Sequence, residues 1–298
     1  MKIAVTGPSG NVGRALVPHL LDAGAEVHLL SHDAAKVGNF AAMGARVHAG
    51  SLDDPAYVTR ATEGADALFW LTPPSFQATD LRAKQREIAE CGANAIRKHR
   101  IARVVNLSSA GAQMQTGAGP ISCLGEVEQI IAGVAPNVTH LRPGFFMENF
   151  LFQLEPIKNH GSIYMPVAGH QRVPIIATQD IGAAAARRLL DSKWTGQSIQ
   201  GLHGPADLNL EEVAQILTRV LGQPIRHVKV PPATTRETFL QLGASPSVTD
   251  AVLEMYAAWD TGKLRPAEAR TEATTTPTTF EQFATEVMKP IIGSVATR

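Results

Sequence analysis

Three glycines near the start of the chain have the spacing of a turn that can hold phosphate. Gly7, Gly10 and Gly13 follow the short apolar run Lys2–Thr6, and apolar residues then recur at helical period. Glycine permits a tight turn, leaves room for phosphate beside the backbone and lets a helix pack closely on a strand. A helix that begins here presents free N–H groups and the positive end of its dipole to an anion.

This pattern predicts a dinucleotide site, although a strand-turn-helix also needs glycine for steric reasons alone. The turn follows the first strand of an alternating chain, which favours the nucleotide interpretation over a structural turn. The predicted pyrophosphate contacts are Gly7, Ser9, Gly10, Asn11, Val12 and Gly13.

Strands and helices alternate through the first half of the chain, which is typical of a parallel sheet covered by helices on both faces. Strands are predicted at Lys2–Thr6, Glu26–Ser31, Arg46–Ala49, Ala67–Leu71, Arg103–Leu107 and residues 139–142. Helices are predicted at Leu81–His99, at residues 179–190 with Thr178 as cap, and at Leu210–Leu221 with Asn209 as cap.

The fold class that follows is α/β, a Rossmann-type doubly wound parallel sheet with a smaller α+β C-terminal part. We expect residues 1–150 to form the dinucleotide-binding domain. Residues 151–298 mainly form the smaller, substrate-side domain, and residues 173–203 return to the first domain.

Charge and composition exclude several classes of protein. The 298 residues contain 27 Lys and Arg and 27 Asp and Glu, so the net charge is zero. The excess of basic residues that would indicate nucleic-acid binding is absent from the sequence. Two cysteines without CxxC spacing do not predict a disulfide framework, and we predict no metal site. The chain opens directly into a strand and has no apolar stretch of membrane-spanning length. We therefore expect a cytoplasmic monomer or homodimer without a membrane or nucleic-acid partner.

Several motifs resemble those of one enzyme family. TGPSGNVG, from Thr6, resembles the TGATGxxG signature of extended and atypical short-chain dehydrogenase/reductases. NLSSAG at 106–111, ATQDIG at 177–182 and, most specifically, LRPGFFMENF at 141–150 are similar to stretches of the NmrA-like group. The resemblance implies a Rossmann domain and a C-terminal part that closes over a nicotinamide. It also implies NADPH-dependent reduction of quinones and dyes, or cofactor binding without known turnover.

Cofactor choice is predicted at the end of the second strand. An NAD site usually has Asp or Glu there, whereas this chain has Ser31 and His32, so NADP(H) is preferred and NAD(H) remains possible. The arginine that is usual in the family is absent, and Asp33 follows at once. His32 and Lys36 are candidate phosphate contacts, with solvated loop side chains as the alternative.

Further cofactor contacts are expected at the carboxyl ends of the strands, where ligands of such sheets bind. Thr72, Pro73 and Pro74 follow the fourth strand directly, although they would also form a rigid turn. The remaining predicted cofactor contacts are Leu52, Ser108, Pro143 and Phe145.

The catalytic pair of the superfamily is missing from the expected place. Its Tyr and Lys, four residues apart, align with Ile121 and Gly125, neither of which transfers a proton. Ser109 matches the serine position of the superfamily but is equally suited to a turn. Cys123 is either a reactive thiol or a small apolar helix residue. The catalytic residues therefore stay unknown.

Hydride transfer does not require that pair. A bound nicotinamide can reduce a quinone-like or aromatic electrophile directly when the protein only positions the two reactants. The aromatic segment after residue 143 suggests an apolar pocket, with ordinary core as the alternative. The predicted pocket residues are Ser109, Phe146, Met147, Phe150, Tyr164, His170 and Tyr256.

Two functions fit these observations. The first is an NAD(P)H-dependent oxidoreductase that transfers hydride directly to a small aromatic or quinone-like substrate. The alternative is a non-catalytic NADP(H)-binding redox sensor or regulatory protein, in which cofactor occupancy alters a partner contact.

Overall fold

In the computed structural model, which describes residues 1–294, a seven-stranded parallel sheet forms the centre of the molecule. The strands are β1 (Lys2–Thr6), β2 (Glu26–Ser31), β3 (Arg46–Ala49), β4 (Ala67–Leu71), β5 (Arg103–Leu107), β6 (Val138–Pro143), β7 (Phe145–Phe146), β8 (Ser162–Met165), β9 (Val173–Ile176), β10 (Gln197–Leu202), β11 (Asp207–Leu208) and β12 (Arg226–Lys229). The α-helices are α1 (Asn11–Asp22), α2 (Gly38–Ala42), α3 (Pro55–Ala61), α4 (Leu81–His99), α5 (Pro120–Ala132), α6 (Leu154–His160), α7 (Thr178–Leu190), α8 (Leu210–Leu221), α9 (Pro232–Gln241), α10 (Pro246–Asp260), α11 (Phe280–Phe283) and α12 (Lys289–Ser294).

The order of the central sheet is β10-β6-β5-β4-β1-β2-β3, and every pair in it is parallel. The chain runs outward from β1 to β3 and then returns to β4 on the other side of β1. A crevice therefore opens between the carboxyl ends of β1 and β4. This topology confirms the predicted Rossmann-type doubly wound sheet, and the first five predicted strands have the observed bounds.

Alternating strand residues supply two apolar layers. Ile3 and Val5 of β1 face the layer covered by α1 and α7. Ala4 of the same strand and Trp70 of β4 face the opposite layer, which α3, α4 and α5 cover. Both faces of the sheet are buried under helices, as expected for a parallel sheet.

The rest of the chain adds a smaller part at the carboxyl edge of the central sheet. There β7, β9 and β11 form one sheet and β8 pairs with β12. Their core contains Phe150, Trp259 and Phe280, whereas α7 packs on α1 and β10 joins the central sheet. Among the described residues, no helix combines the length and apolarity needed to cross a membrane.

The predicted cap of α7 is wrong. The helix begins at Thr178 itself, with Ala177 as the N-cap residue. The backbone N–H and the hydroxyl of Thr178 donate to the Glu148 carboxylate, at 3.0 and 2.6 Å. The Glu148 side chain, thirty residues away in sequence, therefore takes the place of a local capping side chain. Burial raises the pKa of the Glu148 carboxyl.

Buried histidines make the stability of this fold dependent on pH. His140 of β6 is 5% exposed and its Nδ1 lies 3.0 Å from the Asn106 amide nitrogen. Burial lowers its pKa, and burial also lowers the pKa values of His48, His203 and His227. The unfolded chain therefore binds protons near pH 6.5 that the folded chain excludes, and stability is lost as pH falls through this range.

We expect the unfolding temperature of His140→Gln to fall less than that of the wild type between about pH 7.5 and 5.5. The exposed His160→Gln serves as the matched control and should keep the slope of the wild type. The raised pKa of the Glu148 carboxyl makes the folded state more stable as pH falls, which opposes the effect of the histidines. The prediction therefore concerns the difference in unfolding temperature between the variant and the wild type, measured by calorimetry. Parallel curves for wild type and His140→Gln would contradict it.

Candidate functional site

The three glycines of the predicted phosphate turn join β1 to α1, and they differ in why glycine is needed. Gly7 has a φ of 64°, which residues with a side chain rarely adopt. A Cβ on Gly13 would lie 2.2 Å from the carbonyl oxygen of Gly7, so no side chain fits. At Gly10 that distance would be 3.5 Å, an ordinary contact. The fold therefore requires glycine at positions 7 and 13 but not at position 10.

The start of α1 is open to an anion. Gly10 is its N-cap residue, and no side chain caps the first turn. Asn11 is exposed, whereas Val12 and Gly13 are buried against the sheet. The N–H groups of a first helical turn have no acceptor within the helix, so they can bind a negatively charged group.

A cavity of about 190 Å³ lies beside this turn, and we call it the glycine-turn cavity. The ends of β1, β2, β3 and β4 meet around it. It is lined by the predicted cofactor residues Gly7, Ser9, Ser31, His32, Leu52 and Pro73. It is also lined by Pro8, Leu30, Ser51, Asp53, Ser75, Lys84 and Ile88, which the sequence did not single out as contacts.

An ion pair closes one wall of the glycine-turn cavity. Lys84 Nζ lies 2.6 Å from Asp53 Oδ2 and 3.0 Å from Glu87 Oε2. The hydrogen bond from Lys84 lowers the pKa of Asp53, and the same bond raises the pKa of Lys84. Lys84 lies in the first turn of the helix that follows β4. Because such a helix begins near the carboxyl edge of the sheet, the sequence could have indicated that Lys84 lies close to the site.

At the end of β2, the acidic side chain is engaged within its own loop. The Ser31 hydroxyl donates to the backbone carbonyl of Asp33 at 2.8 Å. The carboxylate of Asp33 accepts the Ala35 N–H at 3.0 Å and lies 3.8 Å from Lys36 Nζ. Of the residues predicted at this strand end, Ser31 and His32 line the glycine-turn cavity. Lys36 is exposed and does not line this cavity.

Two predicted hydroxyl contacts, Thr72 and Ser108, directly follow β4 and β5 and do not line the glycine-turn cavity. Thr72 Oγ1 accepts the indole N–H of Trp70 at 3.1 Å. Ser108 is 4% exposed, and its Oγ has no hydrogen-bond partner among the described residues. Ser108 is therefore a buried polar group available to a ligand.

A second cavity, of about 390 Å³ and mainly apolar, opens further along the same edge; we call it the apolar cavity. The predicted residues that line it are Pro74, Ser109, Pro143, Phe145 and Phe146. The others are Ala110, Pro120, Ile121, Gly144, Asn149, Val173, Pro174, Met255, Trp259, Leu264, Arg265 and Pro266. Pro73 and Pro74, adjacent in sequence, line the glycine-turn cavity and the apolar cavity respectively, so the two cavities are neighbours.

Other predicted pocket residues lie away from the apolar cavity. Met147 and Phe150 are 1% exposed and belong to the C-terminal core, where Phe150 packs edge-on against Phe145 at 5.6 Å between ring centroids. Tyr164 is part of β8, which pairs with β12. Tyr256 stacks on Trp259 behind the cavity wall, and burial raises its pKa to about 12.

The positions aligned with the missing Tyr and Lys form part of the wall or pack against backbone. Ile121 lines the apolar cavity. A Cβ on Gly125 would lie 2.2 Å from the carbonyl oxygen of Ala112, so no side chain, lysine included, fits there. Among the described residues, Ser109 Oγ donates only to the neighbouring carbonyl of Ala110, at 3.3 Å. Cys123 is buried and burial raises the pKa of its thiol, which opposes thiolate reactivity.

A third cavity, of about 490 Å³, adjoins the apolar cavity; we call it the polar cavity. The predicted pocket residue His170 lines this cavity rather than the apolar one. Its other polar lining residues are Gln171, Arg172, His203, Asp207, Arg265, Glu268 and Arg270. Within residues 1–294, no group of three or more His, Cys, Asp or Glu side chains has the arrangement of a metal site.

Comparison with known proteins gives relatives that span most of the chain. The NAD(P)H azoreductase of Xenophilus azovorans is 30% identical over 255 residues, which are 86% of each chain. Prestalk A differentiation protein A of Dictyostelium discoideum is 28% identical over an alignment that covers 100% of this chain and 96% of that protein. Among solved structures, the triphenylmethane reductase of Citrobacter sp. complexed with NADP(H) has a TM-score of 0.80 at 19% identity, covering 96% and 99% of the two chains.

A family model described as the NmrA-like family matches residues 1–284. This match covers the glycine turn, all three cavities and the segment LRPGFFMENF, and it confirms the resemblance seen in the sequence. The chain belongs to the NmrA-like family.

Proposed function

We propose that this protein is an NADP(H)-dependent reductase that transfers hydride directly to a quinone-like or aromatic electrophile. The observation that carries the proposal is the apolar cavity, which adjoins the glycine-turn cavity at Pro73 and Pro74. Family membership, the azoreductase relative and the NADP(H) complex of the dye reductase support it. A cofactor that follows the carboxyl edge from one cavity to the next would bring its nicotinamide to the apolar one.

The residues at this edge fit such a cofactor. The space at Gly10 and the uncapped start of α1 suit a pyrophosphate, and Ser108 offers a buried hydroxyl without a partner. Ser31 and His32 would lie beside the adenosine ribose. Pro143 and Phe145 would border the nicotinamide.

The chemistry places few demands on the side chains. NADPH supplies a hydride, so that a quinone, NADPH and one proton give a hydroquinone and NADP⁺. Ile121, Phe145 and Phe146 would orient a planar acceptor and exclude water from its face. Because neither Ile121 nor Gly125 can donate a proton, the proposed mechanism takes the proton from solvent.

The role of the glycine turn is tested by Gly10→Val. The substitution places a branched side chain where pyrophosphate would approach, yet leaves the packing of α1 on β1 unchanged. We expect NADPH binding, followed by fluorescence titration, to be lost while the unfolding temperature stays close to that of the wild type. Gly293→Val, at a position with open space, should bind normally, and Gly13→Ala should be destabilised. If Gly10→Val bound NADPH with the affinity of the wild type, the glycine turn would not be part of the cofactor site.

Cofactor preference follows from the end of β2. The residues of this strand end that line the glycine-turn cavity, Ser31 and His32, carry no carboxylate, and the Asp33 carboxylate, which accepts the Ala35 N–H, does not line it. We expect calorimetry to show that NADPH binds about tenfold or more tightly than NADH, a difference of about 1.4 kcal/mol. Equal or reversed affinities would instead make Asp33 a ribose ligand.

The reaction class is tested with a panel of acceptors. Quinones and triarylmethane dyes should oxidise NADPH, measured by loss of its absorbance, whereas aldehydes and ketones should react poorly because their alkoxide finds no positioned acid. Ser109→Ala should slow quinone reduction less than about threefold, since a true general acid contributes about a hundredfold or more. Fast ketone reduction would reveal a proton donor and overturn this mechanism.

One observation favours a second candidate, a cofactor sensor. The loop after β4, which carries Pro73 and Pro74, is tied to the α9–α10 turn: Ser245 N–H donates to the Phe76 carbonyl at 3.0 Å. Phe76 also packs on Phe239 of α9, with 6.3 Å between ring centroids. Cofactor contact with this loop would then reach α9. Tight NADP(H) binding without turnover of any acceptor in the panel would favour this candidate over the reductase.

A further inference from the structure

The wall between the apolar and polar cavities contains a positively charged side chain. Both cavities are lined by Trp259, Pro174 and residues 264–266. Within that shared wall Arg265 carries the charge, and the other polar side chains of the apolar cavity are the uncharged Ser109 and Asn149 and the Trp259 indole. A ligand in the apolar cavity therefore meets one cation at its border.

Arg265 differs from the other arginines around the polar cavity in having no carboxylate partner among the described residues. Arg172 pairs with Glu212 at 2.7 Å, and Arg270 pairs with Asp207. Arg265 instead donates its Nε–H to the Gly262 carbonyl at 2.9 Å, which holds the base of the guanidinium in place. Its terminal N–H groups are free to form a forked contact with a carboxylate or sulfonate.

A further donor lies in the same wall. Trp259 is 2% exposed, and its Nε1 has no hydrogen-bond partner among the described residues. Gln171 is not a further donor here, because its amide N–H already donates to the Asp260 carbonyl at 2.9 Å.

Glu268 also lines the polar cavity; its Oε1 pairs with Arg142 Nη1 at 2.8 Å, and its Oε2 has no hydrogen-bond partner among the described residues. Because the charges of Arg172, Arg270 and Glu268 are each paired, Arg265 is the lining cation without a carboxylate partner among the described residues.

We propose that Arg265 is a specificity residue that binds the anionic substituent of an aromatic substrate whose ring occupies the apolar cavity. This inference rests on the proposed reductase function and names its substrate class: planar aromatic acceptors that carry a carboxylate or sulfonate. The volumes of about 390 and 490 Å³ suit a ring system in the first cavity and a polar group at the entrance to the second.

The test uses two azo dyes that differ by one carboxylate, methyl red and its uncharged parent 4-(dimethylamino)azobenzene. Reduction of the azo bond to two amines consumes two NADPH and two protons. We expect Arg265→Gln to lower kcat/KM for methyl red about three- to fivefold, as for an exposed charged contact, and to change the uncharged dye less than about twofold. Arg265→Lys should retain most of the preference, and added salt should weaken it. Arg97→Gln, at an exposed position that lines neither cavity, is the control.

Dye binding to the NADP⁺-loaded protein, followed by absorbance, provides a readout that needs no turnover. A loss of affinity in Arg265→Gln for methyl red alone supports the proposal. An equal change for both dyes, or no change for either, overturns it. If the wild type turns over neither dye, the reductase function fails for this class, and the binding measurement still decides the role of Arg265.

Discussion

The site depends on the contact between the start of α1 and the turn that follows β1. A Cβ on Gly13 would lie 2.2 Å from the Gly7 carbonyl oxygen and 2.6 Å from the Cα of Pro8, so backbone packs directly on backbone. On its other side α1 meets α7, where a Cβ on Gly182 would lie 2.6 Å from that of Ala15. Because close-packed contacts on both sides leave no room for movement, the N-terminus of α1 is held at the carboxyl edge of the sheet.

The same contacts position the apolar cavity. α7 directly follows β9, and β9 pairs with β7 in the register Phe145↔Ile175 and Phe146↔Ile176. The preceding Gly144 packs so closely that a Cβ there would lie 2.3 Å from the Pro174 carbonyl oxygen. Close packing and strand pairing thus connect the glycine turn with the aromatic wall. In the proposed hydride transfer, such placement of two reactants would itself be a large catalytic contribution.

Local signals in the sequence predicted the elements that position the site. The bounds of α4 follow from Asp80, whose side chain caps the helix by accepting the Ala83 N–H, and from the cationic last turn. Asn209 caps α8 in the same way, within a complete capping box. In both cases the residues that decide the boundary are neighbours in sequence, so the pattern contains the information.

The lining of the apolar cavity was less predictable because its residues are distant in sequence. Trp259 and Arg265 reach the cavity through the packing of α10 and the segment after it, which no local pattern links to residue 145. Phe146 lines the cavity and Met147 enters the core, although both are large apolar side chains in one short segment. Periodicity identifies an apolar position, but it does not tell a pocket wall from a core.

The most direct test of hydride transfer into the apolar cavity is a crystal structure of the protein with NADP⁺ bound. The pyrophosphate should contact Gly10 and the first turn of α1, and C4 of the nicotinamide should face the open space between Phe145 and Ile121. A nicotinamide whose C4 is covered by protein, or that lies outside the apolar cavity, would contradict hydride transfer into this cavity.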